Sequence, residues 1–155
     1  MEIIKLPIDA LTVYKKNAKR HTDEQVKHIV NSIKRFGHCD PIGVWGSKNT
    51  IVEGVGRYLA HKQLGTEEVE CIRLDHLSDE ERRAYTLAHN QTTLETSFDF
   101  GLLDEELSEL LDFDMADFGF TTNQFDFAPI SEDDVPRLDK KKVIICTECG
   151  AEIKL

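Results

Sequence analysis

The residues with the clearest chemical character lie in one stretch, Glu53-Gly54-Val55-Gly56-Arg57-Tyr58, where a β-branched strand turns on two glycines into a helix. A strand that enters a helix through glycine exposes backbone N–H groups at the positive end of the helix dipole, which favours an anion. Arg57, in the first helical turn, adds a planar fork that matches phosphate oxygens. The spacing alone is equally compatible with an ordinary strand-to-helix turn that uses glycine for tightness and arginine for solubility.

Two other polar regions can join this turn. The basic loop 15–21 precedes a helix, and Asn90 follows another. If the strands pair as the sequence suggests, these loops meet at one edge of the sheet, the usual place for a ligand in an α/β fold. Phosphates would then contact Arg57, the backbone amides of residues 56–58 and Arg20, and Asn90 would orient the ligand or a hydrated Mg²⁺. Taken singly, the loop is better explained as solvated and Asn90 as a helix end, and it is their combination that favours a ligand site.

Short strands and capped helices form the frame that must position these residues. Thr22 and Gln25 predict a capping box, and the apolar face that follows ends at Gly37. Ser78 and Glu81 predict a second capping box. Strands are predicted at 3–6, 11–14, 41–45, 50–53 and 69–74. Helices are predicted at 22–36, from the Gly54 turn to Leu64, and from 78 to about 89. We expect the second helix to end in a left-handed cap at Gly65 and the third to be broken by the polar residues 90–93.

Composition and charge narrow the classes of protein to consider. The chain has 155 residues, of which 40% are hydrophobic and 31% charged, as in soluble globular proteins. We find neither a long apolar run nor a signal-like amino terminus, so we expect no membrane segment, a cytoplasmic location and reduced cysteines. Residues 96–139 carry one basic and 13 acidic residues, a net charge of −12. This segment would repel a nucleic-acid backbone.

The charge and leucine patterns divide the chain into segments. The amino-terminal part has balanced charge and most of the predicted elements, and the acidic part that follows has leucines at helical spacing. Proline and acidic residues then indicate a linker. The predicted segments are a nucleotide-binding domain at 1–95, an acidic helical extension at 96–120, a linker at 121–139 and a short cysteine knuckle at 140–155.

Cys146 and Cys149 have the C-x-x-C-G spacing of a zinc knuckle. Tetrahedral Zn²⁺ needs two more ligands, so another chain, Cys39, Cys71 or a histidine would have to complete the site, or the site is vestigial. We expect Cys39 and Cys71 to be buried structural cysteines. Among the histidines, the sequence places His28 and His61 on helix surfaces and His21 and His89 near the pocket.

An ordered series of motifs extends across about two-thirds of the chain. Its pieces are Asn17-Ala18-Lys19-Arg20-His21, residues 32–37 leading to Pro41-Ile42, residues 51–57 with Ala60 and Leu64-Gly65, and residues 77–90. In this order they resemble the ParB/sulfiredoxin superfamily, specifically its small ParB-like proteins from phages and mobile elements. The resemblance implies an α/β fold of the mixed α+β kind, with a small mixed sheet flanked by helices. It also implies a nucleotide, CTP or ATP/ADP with Mg²⁺, whose phosphates bind at Gly54, Val55, Gly56 and Arg57.

The chain departs from the superfamily pattern at two positions. Partition proteins carry a glutamate where this chain has Val55, and a metal-binding glutamate where it has His89, next to the matching Asn90. Val55 offers no acid, base or nucleophile. Catalysis would therefore depend on Glu53, the nearest carboxylate, together with His89, and Asn90 would be the remaining Mg²⁺ ligand.

Three functions follow from these observations. The first is a nucleotide-binding ParB-like module of phage or mobile-element origin that regulates or assists DNA transactions, with DNA or a DNA-modification enzyme as partner and a homodimer as one possible state. The second is a Mg²⁺-dependent nucleotide hydrolase, phosphotransferase or weak nuclease. The third is a catalytically inactive adaptor that binds a partner protein through its acidic extension and cysteine knuckle.

Overall fold

The computed structural model describes residues 3–120, 143–145 and 152–154. The chain divides into two compact units, Met1–Gln124 and Phe125–Leu155. The predicted linker, Cys146 and Cys149 lie outside the described residues, so the predicted domain boundaries and the zinc knuckle remain predictions. No helix in the described part of the chain is long and apolar enough to cross a bilayer.

The first unit contains five strands and four helices among the described residues. Its strands are β1 (Ile3–Pro7), β2 (Thr12–Val13), β3 (Ile42–Trp45), β4 (Thr50–Glu53) and β5 (Glu68–Arg73). Its helices are α1 (Asp23–Phe36), α2 (Val55–Leu64), α3 (Asp79–Thr92) and α4 (Phe100–Glu109), with short 3-10 turns at Ile8–Ala10 and Met115–Phe118. The second unit contributes β6 (Val143–Ile145) and β7 (Glu152–Lys154), an antiparallel pair.

The five strands of the first unit form one mixed sheet in the order β1-β5-β3-β4-β2. Pairing is antiparallel between β1 and β5 and between β3 and β4, and parallel between β5 and β3 and between β4 and β2. Three consecutive residues of β3, from Ile42 to Val44, are buried, as expected for a central strand covered on both faces. The predicted mixed α+β fold with a small sheet and flanking helices is therefore confirmed.

Two apolar clusters hold the elements together. One joins the sheet to the amino-terminal segment through seven buried residues: Ile8, Leu11, Ile42, Val44, Ile51, Val69 and Cys71. The other packs α1 against α2 through buried Val26, Val30 and Ala60. Because α2 begins where β4 ends, this second cluster also determines the position of the glycine turn relative to α1.

Most helix boundaries follow their capping residues. The Thr22 hydroxyl accepts a hydrogen bond from the Gln25 backbone N–H at 3.1 Å, and α1 ends at Gly37, which has φ +85°. The capping box of Ser78 is complete. The capping box predicted at Thr22 is only half formed, because the Gln25 side chain contacts His21 Nδ1 at 3.0 Å and not the Thr22 backbone N–H. The predicted helix end near His89 is wrong, because α3 continues to Thr92 and includes Asn90.

The extension folds onto α1 through residues 113–118, which we call the aromatic turn. The Phe36 ring lies 6.0 Å from that of Phe113 and 5.4 Å from that of Phe118, and Asn31 Nδ2 donates to the Asp117 carbonyl at 2.9 Å. Asp99 caps α4 by accepting hydrogen bonds from two backbone N–H groups. The helix buries none of its residues fully. The aromatic turn after α4 therefore attaches the extension to the rest of this unit.

Candidate functional site

A cavity of about 410 Å³ lies where β4 passes into α2. Its wall combines the amino-terminal loop before α1, the β4–α2 turn and the end of α3. The lining residues are Asn17, Lys19, His21, Ile29, Asp40, Val52, Glu53, Gly54, Val55, Gly56, Arg57, His89, Asn90 and Thr93. The three regions that the sequence analysis expected to meet are thus brought together around one space.

The glycine turn places the Arg57 guanidinium directly over the start of α2. Gly54 has φ +88°, a left-handed conformation that side chains rarely adopt, and a Cβ at this position would lie 2.9 Å from Arg57 Nη2. Glycine is therefore required here both by the backbone angle and by the approach of the guanidinium. Because α2 starts at Val55, its first backbone N–H groups have no partner within the helix.

Arg57 is largely buried, with a side-chain exposure of 22%. Its Nη1 contacts a carboxylate oxygen of Asp40, which lies in the loop between α1 and β3. Its Nε is buried and has no hydrogen-bond partner among the described residues. Burial lowers the pKa of Arg57, but the group remains charged because its ordinary pKa is so high. The site therefore holds a cation with unused hydrogen-bonding capacity.

Glu53 lies at the end of β4, with a side-chain exposure of 11%. The Tyr85 hydroxyl donates to Glu53 Oε2 at 2.8 Å, and His89 Nδ1 lies 3.4 Å from the same oxygen. Burial, and then the hydrogen bond to Glu53, raises the pKa of Tyr85 to about 12. Gly43, opposite on β3, leaves space for Glu53, because a Cβ there would lie 2.5 Å from Glu53 Cγ. The carboxylate is thus held between strand and helix, beside a histidine.

The opposite wall of the cavity carries amides and a lysine. Asn90 Nδ2 lies 3.5 Å from Asn17 Oδ1, and the same oxygen accepts the Lys19 backbone N–H at 3.2 Å. Lys19 Nζ donates to Thr93 Oγ1 at 2.9 Å. The amino-terminal loop is therefore attached to the end of α3 by hydrogen bonds to uncharged acceptors, and the Lys19 ammonium has no carboxylate partner among the described residues.

Most of the predicted site residues line the cavity, and two do not. Glu53, Gly54, Val55, Gly56, Arg57, His89 and Asn90 lie on its wall, as does His21. Arg20 is exposed outside it, and Tyr58 packs against the sheet cluster. The sequence analysis did not select Asp40, Lys19 and Thr93, because their pairings join residues that are far apart in the chain.

Two predictions about buried and exposed side chains are wrong. His61 is 3% exposed, because it lies on the side of α2 that faces the protein, where its ring stacks on that of His38 at 4.6 Å. Cys39 is exposed in the loop after α1. Cys71 is buried as predicted, and burial raises the pKa of its thiol to about 11. A thiol sealed in the core and protonated is poorly suited to complete a zinc site.

Within the described residues, no group of three or more histidine, cysteine, aspartate and glutamate side chains is arranged to hold a metal ion. The cavity does offer oxygen donors, namely the Glu53 and Asp40 carboxylates and the Asn90 amide. Mg²⁺ is commonly bound by one or two carboxylates together with the phosphates of a substrate. The residues present therefore fit a magnesium ion that arrives with a phosphate ligand.

Comparison with known proteins identifies relatives of the first unit. The ParB N-terminal domain matches residues 1–91, more than half of the chain. The ParB-like nuclease domain-containing protein YnaK of Escherichia coli strain K12 is 36% identical over 83 residues, which are 54% of this chain and 94% of YnaK.

Two solved structures resemble this chain at low sequence identity. The C-terminally truncated chromosome-partitioning protein ParB of Caulobacter crescentus, complexed with CTP-γ-S, superposes with a TM-score of 0.57 at 23% identity, covering 70% of this chain and 61% of that chain. Sulfiredoxin of Arabidopsis thaliana superposes with a TM-score of 0.47 at 24% identity, covering 55% of this chain and 97% of sulfiredoxin. This chain thus spans less than two-thirds of the truncated ParB. From the family match and the identity with YnaK, the chain belongs to the ParB N-terminal domain family.

Proposed function

We propose that this chain is a nucleotide-binding module that holds the phosphates of its ligand at the start of α2. The observation that carries the proposal is the Arg57 guanidinium, which lies over the Gly54 turn with a buried, unpartnered Nε, in a cavity of about 410 Å³. Lys19 adds a second positive charge to the same cavity. Two cations and the first N–H groups of a helix suit a phosphate chain.

The family supports a nucleotide as the ligand. The ParB of Caulobacter crescentus, which shares this fold, was solved with CTP-γ-S. CTP is therefore the first nucleotide to test, and the resemblance of the motifs to the wider superfamily adds ATP and ADP. A Mg²⁺ ion brought by the nucleotide would be held by Glu53 and Asn90, where it would offset the charge of the phosphates.

The proposed role is regulation or assistance of DNA transactions, in a protein of phage or mobile-element origin. Lys19 belongs both to the cavity wall and to the basic loop 15–21, so a nucleotide that binds Lys19 would order this loop. The loop is basic and reaches the cavity through Lys19, whereas the extension is acidic. Nucleotide binding would thereby control how the loop meets a partner, either DNA or a DNA-modification enzyme.

Calorimetric titration of the full chain tests the proposal. CTP, ATP, ADP and GTP are each added with Mg²⁺ to the wild type, to Arg57→Ala and to Arg83→Ala. Arg83 is a matched control because it is an exposed arginine of α3 that does not line the cavity. We expect one nucleotide to bind clearly, and Arg57→Ala to weaken it about 10- to 100-fold, the value of a charge-assisted hydrogen bond. Arg83→Ala should bind like the wild type.

Two results would contradict the proposal. Equal losses of affinity in Arg57→Ala and Arg83→Ala would mean that the nucleotide responds to overall charge rather than to the cavity. If none of the four nucleotides binds, the adaptor function, in which the extension contacts a partner protein, becomes the better account.

The arrangement of Tyr85, Glu53 and His89 favours a second candidate function, a Mg²⁺-dependent hydrolase, phosphotransferase or weak nuclease. A carboxylate held 2.8 Å from a tyrosine hydroxyl and 3.4 Å from a histidine nitrogen can accept a proton from water or an alcohol. Phosphate or nucleotide release should then require Mg²⁺ and disappear in Glu53→Gln, while the affinity for nucleotide measured without Mg²⁺ is retained. Binding without turnover in the wild type would exclude this candidate.

A further inference from the structure

Arg57 already has an anionic partner within the chain. Asp40 reaches it from the loop between α1 and β3, and its carboxylate contacts Nη1 at the mouth of the cavity. The two side chains differ in environment, because that of Asp40 is 70% exposed and that of Arg57 is 22% exposed. A carboxylate from the solvent side thus occupies a hydrogen-bonding position of Arg57.

The backbone of Asp40 is fixed while its side chain remains accessible. His38 Nε2 lies 2.8 Å from the Asp40 carbonyl oxygen, and the His38 ring stacks on the buried His61. The loop is therefore anchored to α2 through the histidine pair, which keeps Asp40 close to Arg57. Because the carboxylate itself is exposed, a change of its side-chain torsions can release it into water without movement of the loop.

Resting on the proposed function, we propose that Asp40 is an intramolecular competitor of the phosphate ligand, an autoinhibitory contact that sets the affinity of the site. In the free protein, the Asp40 carboxylate occupies the Nη1 position of the Arg57 fork. An entering phosphate must displace it and then takes the freed N–H groups. The contact neutralises part of the charge of a partly buried guanidinium until an anion of higher charge arrives.

The expected size of the effect follows from the exposure of the pair. An exposed ion pair contributes up to about 1 kcal/mol, which corresponds to about a fivefold change in affinity. Removing the Asp40 charge should therefore tighten phosphate binding about fivefold. Deleting an equally exposed carboxylate elsewhere should have little effect, since salt screens distant charges.

The test measures dissociation constants of inorganic tripolyphosphate and of CTP with the full chain by calorimetry. Wild type is compared with Asp40→Asn, Asp40→Glu and Asp9→Asn. Asp9 is the matched control because its carboxylate is 83% exposed, pairs with Lys62 at 2.7 Å and does not line the cavity. Thermal unfolding of each variant verifies that it is folded.

We expect Asp40→Asn to bind tripolyphosphate about fivefold more tightly, and Asp40→Glu and Asp9→Asn to remain within about twofold of the wild type. Three results would overturn the inference, even if CTP binds. They are no tightening of binding in Asp40→Asn, equal tightening in Asp9→Asn, and tightening in Asp40→Glu to the same extent as in Asp40→Asn. Tightening for tripolyphosphate with no binding of any nucleotide would support the competitor and refute the proposed nucleotide function. If neither tripolyphosphate nor CTP binds to any form, both are refuted.

Discussion

At the scale of single residues, Arg57 combines features that a surface arginine lacks. Its side chain is mostly buried, its guanidinium lies over Gly54, and its Nε has no partner among the described residues. Burying a charged donor without an acceptor is unfavourable. A ligand that supplies phosphate oxygens would satisfy the group, so the local cost of this arrangement in the free protein would favour the bound state.

Gly54→Ala should both destabilise the protein and impair the site. The left-handed backbone at φ +88° costs a residue with a Cβ about 1–2 kcal/mol, and the new methyl group would lie 2.9 Å from Arg57 Nη2. Urea unfolding should show the loss of stability, and calorimetry should show weaker nucleotide binding. Gly46→Ala is the control, because Gly46 has φ +70° but nothing within 4 Å. It should lose similar stability and bind normally, whereas equal binding by both variants would contradict our view of Gly54.

The histidine pair should make stability depend on pH. Burial, and then the proximity of His38, lowers the pKa of His61 below its ordinary value of 6.5. Burial also lowers the pKa of His38, with Glu70 acting to raise it and Arg57 to lower it. At pH values between 6.5 and these lowered pKa values, the unfolded chain binds more protons than the folded one. The stabilisation is therefore present above about pH 6.5 and is lost as the pH falls through the lowered values.

Urea unfolding at pH 7.5, 6.5 and 5.5 measures this dependence. The free energy of unfolding should decrease toward pH 5.5 in the wild type, and the decrease should be smaller in His61→Gln. His76→Gln is the control, because His76 is exposed. This variant should keep the pH dependence of the wild type. If His61→Gln and the wild type show the same pH dependence, then the buried pair does not titrate as described.

At the scale of elements, capping residues explain which boundaries were predictable. Thr22, Gly37 and Ser78 mark helix ends because their side chains or backbone angles satisfy groups that the helix itself leaves unpaired. The polar run 90–93 contains no glycine or proline, so it does not stop a helix, and α3 carries Asn90 into the cavity on its last turn. Polar composition alone was a weak guide to the end of that helix.

Ser78→Ala should weaken the start of α3, the helix that carries Tyr85, His89 and Asn90. The substitution removes the Ser78 hydroxyl, which accepts a hydrogen bond from the Glu81 backbone N–H at 3.3 Å, and leaves the bond from the backbone N–H of residue 78 to Glu81 Oε2. The free energy of unfolding should fall by about 1 kcal/mol. Ser108→Ala, at an exposed position within α4, should change it by less than about 0.5 kcal/mol. Equal changes in urea unfolding would show that the cap contributes nothing.

The pairings within the site were predictable from spacing only where its chemistry is local in sequence, whereas His21, His89 and Asn90 were placed near the site without their partners. The strand, the two glycines and Arg57 are adjacent in the chain, so their spacing alone suggested an anion site. Asp40 pairs with Arg57 across 17 positions, and Lys19 reaches Thr93 across 74. No periodicity encodes such tertiary contacts. The side of α2 that carries His61 was likewise uncertain until the packing against the rest of the protein was known.

At the scale of the first unit as a whole, the acidic extension contributes packing rather than site residues. Its aromatic turn covers part of Phe36, which is still 53% exposed, and Arg35 lies 4.6 Å from the centroid of the Phe113 ring. None of the described residues after Thr93 lines the cavity. Stability and ligand binding should therefore respond separately to changes in the extension.

Phe118→Ala should destabilise the first unit and leave nucleotide binding unchanged. The ring is half-buried against Phe36, so its loss should lower the free energy of unfolding by about 1–2 kcal/mol. Leu111→Ala is the control in the same extension, since Leu111 is 88% exposed and should be nearly neutral. Urea unfolding and calorimetry measure the two effects, and a large change in nucleotide affinity in Phe118→Ala would contradict this separation.

The most direct test of the account is an amide NMR titration of the full chain with CTP and Mg²⁺, which reports where the ligand binds. The account predicts that the largest changes in chemical shift occur at the backbone amides of residues 54–58, of the loop 17–21 and of the end of α3 around Asn90. Changes centred instead on a different cavity, which is lined by Tyr14, Lys16 and Leu87, or no change at saturating nucleotide, would contradict it.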